Sequence, residues 1–98
     1  MQVKHLVKVI VASNTAERLT DDATLYFRGT GTLAAASGNS AVMYVGGSAV
    51  SPVSHGVALN PIDSVGIPIC SEDGLGTQLN SIWVYGTAGN VITLLYGR

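Results

Sequence analysis

Apolar and polar residues alternate along much of this chain with the two-residue period of β-strands, and no stretch sustains a helical period. Val3, Val7, Val9 and Val11 fall on one face of a first strand, with His5 among them. Lys4 and Lys8 alternate onto the other face, together with Leu6 and Ile10. That second face is therefore expected to be partly wet, and His5 to lie on a partly buried face. Asn14-Thr15-Ala16-Glu17 has the spacing of a helix capping box. No periodic apolar run follows it, which leaves a loop and a short extended piece at Arg18-Leu19. From Ala23 to Arg28 the chain is β-rich, with Leu25 and Phe27 set against Thr24, Tyr26 and Arg28. Gly29 to Gly31 reads as a break, Leu33 to Ala36 as a weak segment, and Ser37-Gly38-Asn39-Ser40 as a turn.

Ala41 to Val45 predicts a strand, followed by a two-residue hairpin turn at Gly46-Gly47 or a thin continuation to Ser51. Pro52 to Gly56 is loop, and Val57 to Leu59 is a stub closed by Asn60-Pro61, because Pro61 has no N–H to donate. Ser64 to Ile69 is a strand that Pro68 assigns to a sheet edge or a bulge, and a loop from Ser71 to Thr77 follows. Leu79 to Tyr85 and Val91 to Tyr96 are the clearest strands, and the short link from Gly86 to Asn90 predicts that they form a hairpin. The prediction is one all-β domain over residues 1–98, a small β-barrel or β-sandwich, jelly-roll-like, of about eight short strands.

Composition adds a mismatch to this picture. A 98-residue chain has room for one core and a large surface around it. Only 11% of the residues are charged, while 47% are hydrophobic. Part of the apolar surface is therefore expected to meet another chain, since small domains gain stability by oligomerising. The net charge is −1, and the cations Lys4, Lys8, Arg18, Arg28 and Arg98 are dispersed. Without a basic stripe, nucleic acid is not expected as a partner. The uncharged apolar runs, such as Val9 to Ala12, are far too short to span a membrane. Near the N-terminus there is no apolar stretch of signal-peptide length, and the single Cys70 allows no intrachain disulfide.

The search for catalytic chemistry finds no constellation, so no enzyme, cofactor or metal is expected. Asp21-Asp22 and Glu72-Asp73 are the adjacent carboxylate pairs, and both fit solvated loops better than a shared-proton or cation site. His5, His55 and Cys70 are too few and too scattered for a four-ligand zinc site. Gly46-Gly47-Ser48 has Val50 where a nucleophile elbow needs glycine, and Gly29-Thr30-Gly31 and Gly74-Leu75-Gly76 complete no phosphate loop. Trp83 and Tyr85 share one strand face, either packed in the core or presented as an interface. Stacking on sugar rings is a third possibility for that pair.

The order of motifs resembles small head decoration (cement) and other virion structural proteins of tailed bacteriophages. The residues that carry the resemblance are Tyr44-Val45-Gly46-Gly47-Ser48 with Val50-Ser51, then Gly56, Leu59, Pro61 and Ser64-Val65. It continues through Leu79-Asn80, Ile82-Trp83-Val84, Ala88-Gly89-Asn90-Val91 and Leu95-Tyr96, with Asn14-Thr15-Ala16 and Leu19 as an earlier echo. The resemblance implies a homotrimer bound to the major capsid protein on the outer surface of the head, after synthesis in the cytoplasm of the bacterial host. The alternatives are a tail, collar or fibre module, or a carbohydrate-binding adhesin domain using its surface aromatics. Trp83, Tyr85, Tyr44 and Tyr96 are the interface candidates.

Overall fold

A computed structural model of the chain describes residues 3–22, 24, 26–27, 29–69 and 77–97. The strands are β1 (Val3–Val9), β2 (Glu17–Arg18), β3 (Tyr26–Phe27), β4 (Gly29–Ala35), β5 (Met43–Gly46), β6 (Val57–Leu59), β7 (Ser64–Ile69), β8 (Thr77–Gln78), β9 (Trp83–Tyr85) and β10 (Val91–Gly97). One turn of 3-10 helix, Leu79–Ser81, precedes β9. Two four-stranded sheets result, ordered β1-β10-β4-β7 and β2-β9-β5-β6, beside a two-stranded ribbon, β3-β8.

The pairings nest. β1 pairs with β10, β2 with β9, β3 with β8, β4 with β7 and β5 with β6, all antiparallel. The chain is thus one long hairpin with its tip at residues 47–56. Rolling that hairpin on itself adds the pairings of β10 with β4 and of β5 with β9, and the result is a jelly roll. The predicted all-β sandwich is what the chain forms.

The two sheets face each other across a single core. Leu33 and Ala35 of β4 and Ile92, Leu94 and Tyr96 of β10 meet Met43 and Val45 of β5, Leu59 of β6 and Val84 of β9. Ile10, Leu19 and Leu79 fill the same cluster from outside the strands. The exposed surface is 5377 Å², close to the roughly 5,300 Å² expected for a folded monomer of this mass. A single chain therefore completes its own core.

Four expectations need correction. Gly29 to Gly31 does not interrupt the sheet but opens β4, which the expectation had rated weak. β4 lies between β10 and β7, and hydrogen bonding to two neighbours outweighs the low strand preference of glycine. Gly46-Gly47 makes no tight hairpin, because β5 ends at Gly46 and returns as β6 only after the longer connection 47–56. The hairpin expected between Leu79–Tyr85 and Val91–Tyr96 does not form, since β9 and β10 belong to different sheets. Backbone bonds to the first strand's end redirect the chain there. The Gly86 carbonyl accepts from the Asn14 N–H at 3.0 Å, Gly89 (φ 89°) donates to the Ile10 carbonyl at 2.8 Å, and Ile10 donates to Asn90 at 2.9 Å. Finally, β1 faces the opposite way from its expected orientation. Val3, His5, Val7 and Val9 are exposed, while Lys4, Leu6 and Lys8 turn toward the other sheet and Ile10 is buried. Pro68 lies where expected, on β7, an edge strand.

The reversal of β1 has a local cause. Lys8 Nζ lies 2.9 Å from Glu17 Oε1, which ties the edge of one sheet to the edge of the other. Lysine stems cover the open side of the core while their ammonium groups reach water or a partner. Glu17 also accepts from the Ala12 N–H at 2.8 Å and from the Val11 N–H at 3.2 Å. Partial burial pushes its carboxyl pKa up, but the Ala12 amide, the Lys8 ammonium and the Val11 amide together hold it below the ordinary glutamate value. A depressed folded-state pKa stabilises the fold above the ordinary carboxylate range and is lost as pH falls through it. Glu17→Gln is therefore expected to cost about 1.5–3 kcal/mol at neutral pH, the range for hydrogen bonds to a charged group. In urea titrations that deficit should shrink as pH drops below about 4.3. A deficit unchanged between neutral and acid pH would show that charge is not its source.

Two buried asparagines clasp the strands near this same end of the sandwich. Asn39 Nδ2 donates to the Val91 carbonyl at 2.9 Å, and the Val91 N–H donates to Asn39 Oδ1 at 2.7 Å. Asn90 Oδ1 accepts from the Ser40 N–H at 3.1 Å. The chain before β5 is thereby clasped to the start of β10.

Candidate functional site

Two surfaces on opposite sides of the sandwich hold the groups of interest. The first is the outer face of the β2-β9-β5-β6 sheet. Trp83 and Tyr85 point outward from β9 around the buried Val84, and Tyr44 points outward from β5 between buried Met43 and Val45. Strand register sets Tyr44 directly opposite Tyr85, with ring centroids 6.2 Å apart in an edge-to-face arrangement. Gly46 stands opposite Trp83, so no cross-strand side chain covers the indole from that position. On its other side Trp83 faces Arg18, whose guanidinium lies 5.2 Å from the ring centroid, a cation–π contact. The connection 47–56 folds back over the sheet and sets His55 against Tyr44, ring centroids 4.8 Å apart.

Three of the four interface candidates, Trp83, Tyr85 and Tyr44, thus come together half-buried on one face. Tyr96 does not. It is 4% exposed on the inner face of β10, packed in the core, because the alternation of that strand turns Ile92, Leu94 and Tyr96 inward.

The second surface is the outer face of the β1-β10-β4-β7 sheet. Register aligns Val3, His5, Val7 and Val9 of β1 with Gly97, Leu95, Thr93 and Val91 of β10. Leu95 and Thr93 in turn stand opposite Thr32 and Ala34 of β4. Val3, Val7, Val9 and Leu95 are each about half exposed or more, and none of these ten positions carries Asp, Glu, Lys or Arg. The sequence contained the signal, a run of valines on one face of the first strand. Alternation alone did not say whether that face or the Leu6-Ile10 face turns inward.

The remaining candidates are spent on structure or lie elsewhere. Asp22 Oδ1 accepts from the Thr24 N–H at 2.8 Å and from its hydroxyl at 2.6 Å, the turn role expected of an acidic loop residue. Cys70 and Glu72-Asp73 fall outside the described residues. A cavity of about 360 Å³ inside the connection 47–56 is lined by Ser48, Ser54 and His55 among others. His55 Nδ1 donates to the Ser51 carbonyl at 3.1 Å, and no carboxylate lines this cavity. A serine–histidine relay has no orienting acid there. Among the described residues no group of three or more His, Cys, Asp or Glu is placed to hold a metal. Ile62, at the turn between β6 and β7, is 73% exposed with a φ of 67°, a strained conformation for a β-branched residue. Comparison with family models, curated proteins and solved structures finds no match to this chain.

Proposed function

We propose that this chain is a non-enzymatic virion structural protein. It self-associates as a homotrimer and decorates the outside of a tailed-phage head, where it contacts the major capsid protein and stabilises the shell. The observation that carries the reading is the charge-free valine face of the β1-β10-β4-β7 sheet. An apolar face of this extent on a protomer that already completes its own core marks a protein-contact surface. The jelly roll agrees with the reading only by analogy, since that fold serves capsids and lectins alike. The trimer and the head position rest on the motif resemblance. Cementing asks for no catalytic group: repeated modest contacts, multiplied by symmetry, give a durable clamp.

The test mixes purified protein with matching undecorated heads and, separately, with isolated tails, then sediments and heats the particles. Saturable binding to heads with a raised disruption temperature is expected, because a ligand that prefers the intact shell shifts the equilibrium toward it. Binding to tails alone would replace the head assignment with a tail, collar or fibre module. Binding to neither would overturn the virion reading.

A further inference from the structure

We infer that the face opposite the valine surface carries a binding site for a neutral saccharide, in a concavity that Tyr44 and Tyr85 help to line. This inference goes beyond the assembly reading and does not rest on it. The concavity is about 290 Å³, near the lower end of the range for small-molecule sites. Tyr44, Tyr85 and Pro52 supply apolar surface, and Asn14 and Thr87 supply an amide and a hydroxyl. None of its lining residues is charged. Among the described residues, no hydrogen bond engages the phenol hydroxyls of Tyr44 and Tyr85, the Thr87 hydroxyl or the Asn14 amide group. A charged ligand would find no counter-charge here, and a purely apolar one would leave those groups unmatched. A pyranose ring fits both halves of this chemistry, with C–H faces for the aromatic walls and hydroxyls for the polar groups.

Pro52 reaches in from the connection 47–56, and the other parts come from three connections that the jelly roll brings to one end of the sheet. Asn14 belongs to the turn between β1 and β2, Ala41 and Val42 precede β5, and Gly86 and Thr87 follow β9. Asn14, in a left-handed conformation (φ 59°), is held there by its N–H bond to the Gly86 carbonyl at 3.0 Å. The packing of His55 on Tyr44 and the pairing of Tyr44 with Tyr85 hold the two tyrosine rings in place. An aromatic wall held before the ligand arrives loses less entropy on binding.

The experiment records amide NMR spectra of the labelled protein during titration with methyl glycosides of glucose, galactose, mannose and N-acetylglucosamine. At least one is expected to shift the amides of Asn14, Tyr44, Tyr85, Gly86 and Thr87 saturably, in the millimolar range usual for so small a polar ligand. Tyr85→Ala should weaken that binding about tenfold or more, and should leave the oligomeric state as it is. Thr87→Ala, in the connection after β9, gives the same reading if the first variant fails to fold. The inference is overturned if none of the four glycosides moves these amides, or if the shifts persist unchanged in both variants. Neither result bears on binding to heads, so the two proposals fail separately.

Discussion

Asn39→Ala is expected to cost about 2–4 kcal/mol, a large part of the stability of a domain this small. The side chain acts as a stand-in strand. It offers Val91 an acceptor at 2.7 Å and a donor at 2.9 Å, the donor beside the Ala36 N–H that reaches the same carbonyl at 3.1 Å, and its own exposure is 8%. Alanine leaves the Val91 N–H without its partner, and a buried unsatisfied donor costs about 1–3 kcal/mol. It also removes one of two bonds to the Val91 carbonyl, which keeps the Ala36 N–H at 3.1 Å. Asn39→Asp is the sharper test. It keeps the volume and the acceptor but replaces the donor with a second oxygen facing the Val91 carbonyl. Urea unfolding followed by Trp83 fluorescence should show both variants strongly destabilised, with Asp no better than Ala at neutral pH. A loss under about 1 kcal/mol for Asn39→Ala would mean that water takes over the clasp.

Val7→Glu combined with Leu95→Glu is expected to abolish the proposed self-association and leave a monomer of about 10.1 kDa that keeps its β-sheet signal. Both side chains point away from the core, at 53% and 51% exposure, so the fold of a protomer tolerates the change. An interface that buries the same face would have to bury two unpaired carboxylates. Breaking even one buried pair costs about 3–5 kcal/mol, so association should weaken by at least about a hundredfold. Light scattering after gel filtration reads the result directly. A wild-type protein that is monomeric at every concentration, or a double variant that stays associated, would remove the valine face as the contact surface. Tyr85→Ala serves as the matched control on the opposite sheet.

Much of the secondary structure was legible, and the reasons are local. Val91 to Tyr96 alternates cleanly, and Ile92, Leu94 and Tyr96 are the core residues that alternation implies. Pro68 announces an edge strand because it lacks an N–H, and β7 is an edge. The aromatic face was half legible. A spacing of two put Trp83 and Tyr85 on the same side of a strand, whereas Tyr44 joins them only through the pairing of β5 with β9. Tyr96 was misplaced because it was weighed by residue type alone, whereas the alternation of its own strand sets it with Ile92 and Leu94.

What the sequence determined by itself is the class of the fold and the scarcity of charge, because β-period alternation and composition are properties of neighbouring positions. Which strands pair, and which way each turns, only the tertiary structure decided. Gly86 to Asn90 has the length of a hairpin loop, yet bonds to Ile10 and Asn14, 72 to 80 residues earlier, send β9 and β10 into different sheets. The first strand offers two apolar faces of similar strength, and the choice between them fell to Lys8 meeting Glu17 and to Ile10 entering the core. Alternation specifies that two faces differ, but the inward one is set by contacts formed only after the long hairpin has rolled up.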